Sequence, residues 1–182
     1  MDVLETQRLI LRRLTTADAS FILQLVNEPS WLRYIGDKGV RTLEDARRYI
    51  ESGPLDMYRR LGFGLYHVEL KEAGTPIGLC GLIQRPSLEN VDLGFALLPQ
   101  FWALGYAYES ASAVMEYGAR SLGLTRLVAI TSKDNSASIR LLERLGFHFE
   151  RVAQLSGDAP EVSLYARELE PLTPDASAAL GS

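Results

Sequence analysis

Soft metal ligands are scarce in this 182-residue chain, which has one cysteine and two histidines. Cys80 has no second cysteine for a disulfide and lies in the apolar run "PIGLCGLI", where it reads as a buried structural thiol. His67 and His148 are too few and too far apart for a metal site, so no metal is expected. His67 falls mid-strand as a structural residue and His148 just after a turn at the surface. No apolar run approaches the roughly 18 residues of a membrane span, which excludes a membrane partner. The opening "MDVLETQRLILRRL" has an acid at Asp2 and charged alternation in place of a basic and then apolar leader, so a cytoplasmic location is expected. Basic blocks are missing as well, and the net charge of −4 argues against direct nucleic-acid binding. The glycines of "GFG" at 62–64 and Gly105 fit neither G-x-G-x-x-G nor G-x-x-x-x-G-K-S/T, which argues against a nucleotide-binding protein.

What is present is ordinary for a globular protein: 47% hydrophobic and 23% charged residues, with neither an internal repeat nor a linker. One domain over residues 1–172 is expected. Residues 173–182 are small and polar enough for a disordered tail, and Gly181 and Ser182 read as a cloning scar.

"RLILRRL" alternates as a half-buried strand should. "TTADASFILQLVN" opens with Thr15 and Asp18 at capping-box spacing and puts Phe21, Ile22, Leu25 and Val26 on one stripe, which predicts a helix. "TLEDARRYIES", with Thr42 as cap and Asp45 three residues on, predicts a second helix after a loop from Asn27 to Gly39. Arg47 and Arg48 are its solvated face. "FGLYHVEL", "PIGLCGLI" and "VDLGFALL", separated by turn compositions at hairpin lengths, predict three antiparallel strands. A helix near Gly105, a strand "RLVAITS", a helix "SASIRLLERLG" and strands around "FERVAQL" and "VSLYARE" complete the chain.

Between "VDLGFALL" and the helix "YAYESASAVMEYG" lies a bare glycine, Gly105, with Ala107 two places on. A helix start leaves backbone N–H groups unpaired beside a partial positive charge, so this junction is either an anion site or a tight turn. A second signal comes from "AITSKDNSASIRLLERLGFHFE", where a strand ends in a polar turn, Asn135 and Ser138 lie one turn apart and a short helix closes at Gly146.

Together these two stretches resemble the acetyl-CoA-binding motifs of the GCN5-related N-acetyltransferase (GNAT) superfamily. "DNSASIRLLERLGF" with "WALGYAYES" is similar to its RimJ/RimL-type branch, and the resemblance extends over residues 8 to 170. It implies an α+β fold: a mixed, mostly antiparallel seven-stranded sheet, splayed between strands four and five, with about four helices. The cosubstrate would be acetyl-CoA. The family's Q/R-x-x-G-x-G/A loop falls on "WALGYA", so the amides of Leu104, Gly105, Tyr106 and Ala107 would hold the pyrophosphate. Phe95, Ala96 and Leu97 would pair through their backbone with the pantetheine arm, and Asn135 and Ser138 would bond it from the other wall. Trp102 stands where the pattern has Gln or Arg, Ala103 where a glycine is usual and Leu104 where a basic residue is common, so binding should depend on backbone more than on side-chain charge. Leu141 and Leu142 stand where many relatives carry the tyrosine acid.

The implied reaction is acetyl transfer to a primary amine, either a protein N-terminus such as that of a ribosomal protein or a small amine. A noncatalytic acyl-CoA-binding or interaction module is the alternative. An α-amine with pKa about 7.7 to 8.0 is roughly a tenth neutral at pH 7, and a lysine amine far less, so an α-amine demands less of a base. Asp92, where several relatives carry a glutamate acting through water, is the first candidate base, followed by Glu89 and Glu109. Glu109 is equally explained as a carboxylate favoured by a helix start. The oxyanion would meet a backbone N–H near Leu97, and Ser138 or water would serve the leaving thiolate. Trp31, Tyr34 and Phe63 either line the acceptor pocket or pack the loop, and Asp37 would meet a cationic amine. A homodimer is expected only by analogy with such folds.

Overall fold

Among the residues that the computed structural model describes, 2–170, the expected strands are present with one more before them. The tail expected at 173–182 lies outside the described residues. The strands are β1 (Asp2–Glu5), β2 (Leu9–Arg13), β3 (Leu65–Leu70), β4 (Pro76–Ile83), β5 (Asp92–Leu97), β6 (Arg126–Thr131), β7 (His148–Gln154) and β8 (Glu161–Glu168). They form one eight-stranded sheet in the order β1-β2-β3-β4-β5-β6-β8-β7. The sequence predicted seven, because four residues of mixed polarity carry no readable alternation. β1 exists because a turn closed by Thr6 Oγ1, which accepts from Leu9 N–H at 3.0 Å, folds it back onto β2.

The helices are α1 (Ala19–Leu25), α2 (Pro29–Tyr34), α3 (Leu43–Ile50), α4 (Asp56–Leu61), α5 (Tyr106–Leu122) and α6 (Ser136–Arg144). About four were expected. α2 forms inside the predicted loop, with Pro29 at its first position where a missing N–H costs nothing. α3 starts at Thr42, whose side chain accepts from Asp45 N–H while the Asp45 carboxylate accepts from Thr42 N–H. The sequence outlined this helix only to Ser52. The chain instead stays helical into α4 through one wide turn, Glu51–Leu55, that absorbs Pro54.

Side-chain alternation sorts the sheet into two packed faces. On one, Leu9, Leu11, Tyr66, Val68, Cys80, Leu82 and Leu93 meet Ala111, Val114 and Met115 of α5. On the other, Leu14, Leu79 and Leu98 meet Ile22 and Leu25 of α1 and Ala46 and Ile50 of α3. Each large side chain so buried contributes about 1.5–3 kcal/mol, which fixes both helical layers on the sheet. Cys80 is buried as expected, and burial pushes its thiol up to about 12.

The feature that positions the site is the junction of β5 with β6. Every other neighbouring pair is antiparallel, whereas these two are parallel and register only at Asp92 and Val128. Val128 N–H reaches Val91 O at 3.0 Å, and beyond that bond the strands part. This is the predicted splay between strands four and five, since β1 adds one to the count.

Candidate active site

Hydrogen-bond parity decides which part of β5 faces the gap. Leu98 N–H bonds Ile77 O of β4, and Val91 O bonds Val128 of β6. Alternation along the strand then turns the main chain of Ala96 toward β4, where it sits opposite Leu79, and turns that of Phe95 and Leu97 toward the gap. Of the three residues expected to pair with a cofactor arm, Phe95 and Leu97 have their backbone available, and Ala96 is spent in the sheet. The Leu97 carbonyl already accepts from Trp102 Nε1 at 2.8 Å. Trp102, at the position where the family pattern has Gln or Arg, thus ties the loop to the strand end.

The loop then turns sharply into α5. Ala103 has φ 59 and Gly105 φ 85, both left-handed. A glycine is usual at position 103 for that reason; an alanine there carries strain of about 1–2 kcal/mol. Gly105 caps α5 without a side-chain bond. Among the described residues nothing accepts from the amides of Leu104, Gly105, Tyr106 or Ala107, and the first bond of the turn is Glu109 N–H to Gly105 O at 3.0 Å. These amides open on a groove of ≈ 600 Å³ lined by Arg8, Gly105, Tyr108, Glu109 and Arg144. Unpaired amides at the start of a 17-residue helix fit a pyrophosphate, and gap-facing amides on β5 fit an amide-bearing arm.

Across the gap, Asn135 caps α6 by accepting from Ser138 N–H at 3.2 Å, so its side-chain NH2 group remains to donate. Ser138 makes no hydrogen bond with Asp92 among the described residues.

Asp92 lies at the closed end of the gap, 1% exposed. Its Oδ2 accepts from Arg85 Nε at 2.6 Å, and its buried Oδ1 has no partner. Burial pushes its pKa up to about 6, against the opposing pull of Arg85 and the Ile130 N–H. The carboxylate is therefore largely ionised at neutral pH and able to take a proton. Glu89 is exposed. Glu109 is engaged elsewhere: it accepts from Thr6 Oγ1 at 2.6 Å, Arg8 N–H at 2.8 Å and Arg8 Nε at 2.7 Å. Burial pushes its carboxyl up, but these bonds together hold it below its ordinary value.

The expected acceptor residues do not share one pocket. Trp31 is buried in the α1/α3 core, Phe63 is buried in the α5 core on the opposite face, and only Tyr34 is half-exposed. Asp37 is occupied by Arg41 at 2.5 Å and by Gly39 N–H at 2.8 Å. Instead, α2 is strapped across the gap. Ser132 Oγ donates to Tyr34 O at 3.0 Å, and Arg33 pairs with Asp134 at 3.1 Å. His67 is a core histidine edge-on to Phe21 at 5.0 Å, and burial lowers its pKa. Among the described residues no group of His, Cys, Asp and Glu is arranged to hold a metal.

Two residues that sequence reasoning missed belong to this site. Arg85 is distant in composition from any motif and is found only by the pairing of Ile83 with Asp92, which closes the β4–β5 loop over the carboxylate. Arg8 precedes the first predicted strand and reaches the glycine loop only through the turn after β1.

The splayed sheet, the left-handed loop and the amide-lined helix start define an acyl-CoA transferase architecture, and the family model described as an acetyltransferase (GNAT) domain matches residues 8–148. The chain belongs to that family and is an acetyl-CoA-dependent N-acetyltransferase. It is similar to the uncharacterized N-acetyltransferase YoaA of Bacillus subtilis (strain 168), 34% identical over 152 residues, covering 82% of this chain and 85% of that one. It also resembles the acetyltransferase from Agrobacterium tumefaciens str. C58, with a TM-score of 0.78, 27% identity and coverage of 92% and 94%. A RimL ribosomal L7/L12 α-N-protein acetyltransferase in complex with coenzyme A shares the fold, with a TM-score of 0.78, 22% identity and coverage of 93% and 98%.

Proposed function

We propose that this enzyme acetylates the α-amine of a protein N-terminus, with acetyl-CoA and acceptor bound together and the amine attacking directly. The observation that carries the reading is a line of main-chain donors, from the Leu104–Ala107 amides to gap-facing Phe95 and Leu97, which ends at one buried carboxylate, Asp92.

In this reading the Leu104, Gly105, Tyr106 and Ala107 amides hold the pyrophosphate, Phe95 and Leu97 hold the pantetheine arm, and Asn135 and Ser138 bond it from α6. Leu97 N–H faces the oxygen on which charge develops. Asp92, through a water because it is buried against Arg85, takes the amine proton. Ser138 hydroxyl serves the departing thiolate.

The choice of acceptor follows from proton affinities. A base near pKa 6 removes a proton from an α-ammonium uphill by about 2 units, roughly 2.7 kcal/mol. From a lysine ammonium the same step is uphill by more than 4 units, about 6 kcal/mol. The RimL neighbour, an α-N-protein acetyltransferase by its description, is consistent with that preference.

The test is mass spectrometry of acetyl transfer to three acceptors: a peptide with a free N-terminus and blocked lysines, its converse, and spermidine. Acetylation of the free N-terminus alone is expected. Preference for lysine or spermidine would overturn the acceptor assignment. CoA binding without transfer to any amine would favour the noncatalytic module instead.

A further inference from the structure

The loop Trp102–Ala107 has no cationic side chain of its own. We propose that Arg8 supplies that cation from the far side of the sheet, as a binding and positioning residue for the cofactor's phosphates, and that Glu109 sets it in place. The inference rests on the reading of the Leu104–Ala107 amides as the pyrophosphate site.

The geometry uses each part of the guanidinium differently. Glu109 accepts from Arg8 Nε at 2.7 Å and from Arg8 N–H at 2.8 Å, and it also holds Thr6 Oγ1 at 2.6 Å, so the whole β1–β2 turn is fastened to the first turn of α5. Arg8 Nη1 donates to Leu104 O at 3.0 Å. The peptide unit is planar and trans, so pinning that carbonyl toward Arg8 directs the Gly105 N–H the opposite way, which orients the start of the amide run. The guanidinium lies 4.4 Å from the Tyr106 ring centroid. Arg8 Nη2 is 3.1 Å from where a Cβ on Gly105 would sit and has no acceptor among the described residues. The Arg8 side chain is 42% exposed, on the groove that the amides open into. A planar fork can bind a carboxylate, a carbonyl and a phosphate at once, which a lysine cannot.

A residue that merely staples the turn would affect every ligand of the gap alike, whereas a phosphate-directed one discriminates. The experiment measures dissociation constants of CoA by calorimetry and of phosphate-free pantetheine by displacement, for wild type, Arg8→Met, Arg8→Lys and Glu109→Gln. Arg8→Met is expected to weaken CoA by about tenfold or more, the order of a lost charge-assisted hydrogen bond, with pantetheine affinity unchanged. Arg8→Lys should restore part of the CoA loss, and Glu109→Gln should show the same discrimination at smaller size. Equal losses for both ligands, or no loss for CoA, would overturn the proposal. Should Arg8→Met fail to fold, the CoA-to-pantetheine ratio of Arg8→Lys decides. Wild type that does not bind CoA would overturn the pyrophosphate reading itself.

Discussion

The two ends of the gap are built from different material. The cofactor end is main chain: amides of Leu104 to Ala107 freed by a left-handed turn, and amides of β5 freed where β6 departs. The acid–base end is side chain: a carboxylate that is 1% exposed, held by an arginine seven residues earlier on another loop. A backbone site tolerates changes in side-chain identity as long as φ is preserved, which is how Trp102, Ala103 and Leu104 can depart from the family pattern. A side-chain site has no such latitude, because burial itself sets its proton affinity.

The sharpest way to break the comparison is at Gly105. Gly105→Val puts a branched side chain at φ 85, beside Arg8 Nη2 at 3.1 Å from the new Cβ. Strain well above the 1–2 kcal/mol usual for left-handed residues is expected, with CoA binding lost by calorimetry. If the valine variant binds CoA normally, the cofactor end is not a backbone site.

Asp92→Asn probes the other end, with a loss of about 10²–10³ in kcat while the CoA dissociation constant is retained. In wild type the rate should rise with pH through about 6 as Asp92 ionises. The asparagine variant should lack this limb and keep the rise near 8 that belongs to the α-amine. A pH–rate profile unchanged by the substitution would remove Asp92 from the mechanism. Stability offers an independent reading. The folded pKa of about 6 lies above the ordinary 3.8, so the folded state holds its proton more tightly than the unfolded one. Wild type should therefore lose about 3 kcal/mol relative to the asparagine variant as pH rises from 4 to 6, at 1.36 kcal/mol per unit, measured by urea titration.

The strap between α2 and the β6–α6 turn refines the acceptor side. Ser132→Ala removes the bond to Tyr34 O, a loss of about 1 kcal/mol. A raised acceptor KM with an unchanged CoA dissociation constant is the expected kinetic result. The smallest effect is at Ala103. Ala103→Gly relieves the left-handed strain but adds unfolded-chain entropy, for a net gain of about 0.5–1 kcal/mol in urea unfolding.

Much of the cofactor end was legible because it is local. Gly105 before a 3.6-period stripe marks a helix start, and Asn135 three residues before Ser138 marks a cap, and both signals survive without knowing the fold. Asp92 was legible as a residue through its strand position, but its environment was not. Arg85 reaches it only because β4 and β5 pair Ile83 with Asp92, and nothing in "QRPSLEN" states that register. The acceptor residues were the least legible. Trp31 and Phe63 are large aromatics near loops, and aromatic character alone does not say which face of the sheet buries each one. Arg8 was overlooked because the turn after β1 depends on a strand too short to show a period.

By itself the sequence determined the element types, the splay-compatible order of strands, the glycine loop and the family, because each is written in short-range periodicity and backbone-conformational preference. Only the tertiary structure decided that Ala96 turns its backbone into the sheet while Phe95 and Leu97 turn theirs to the gap, that Arg85 covers Asp92, and that Arg8 lies against Gly105. Those are contacts between segments up to about a hundred residues apart, and pairing register and burial, not local preference, select them.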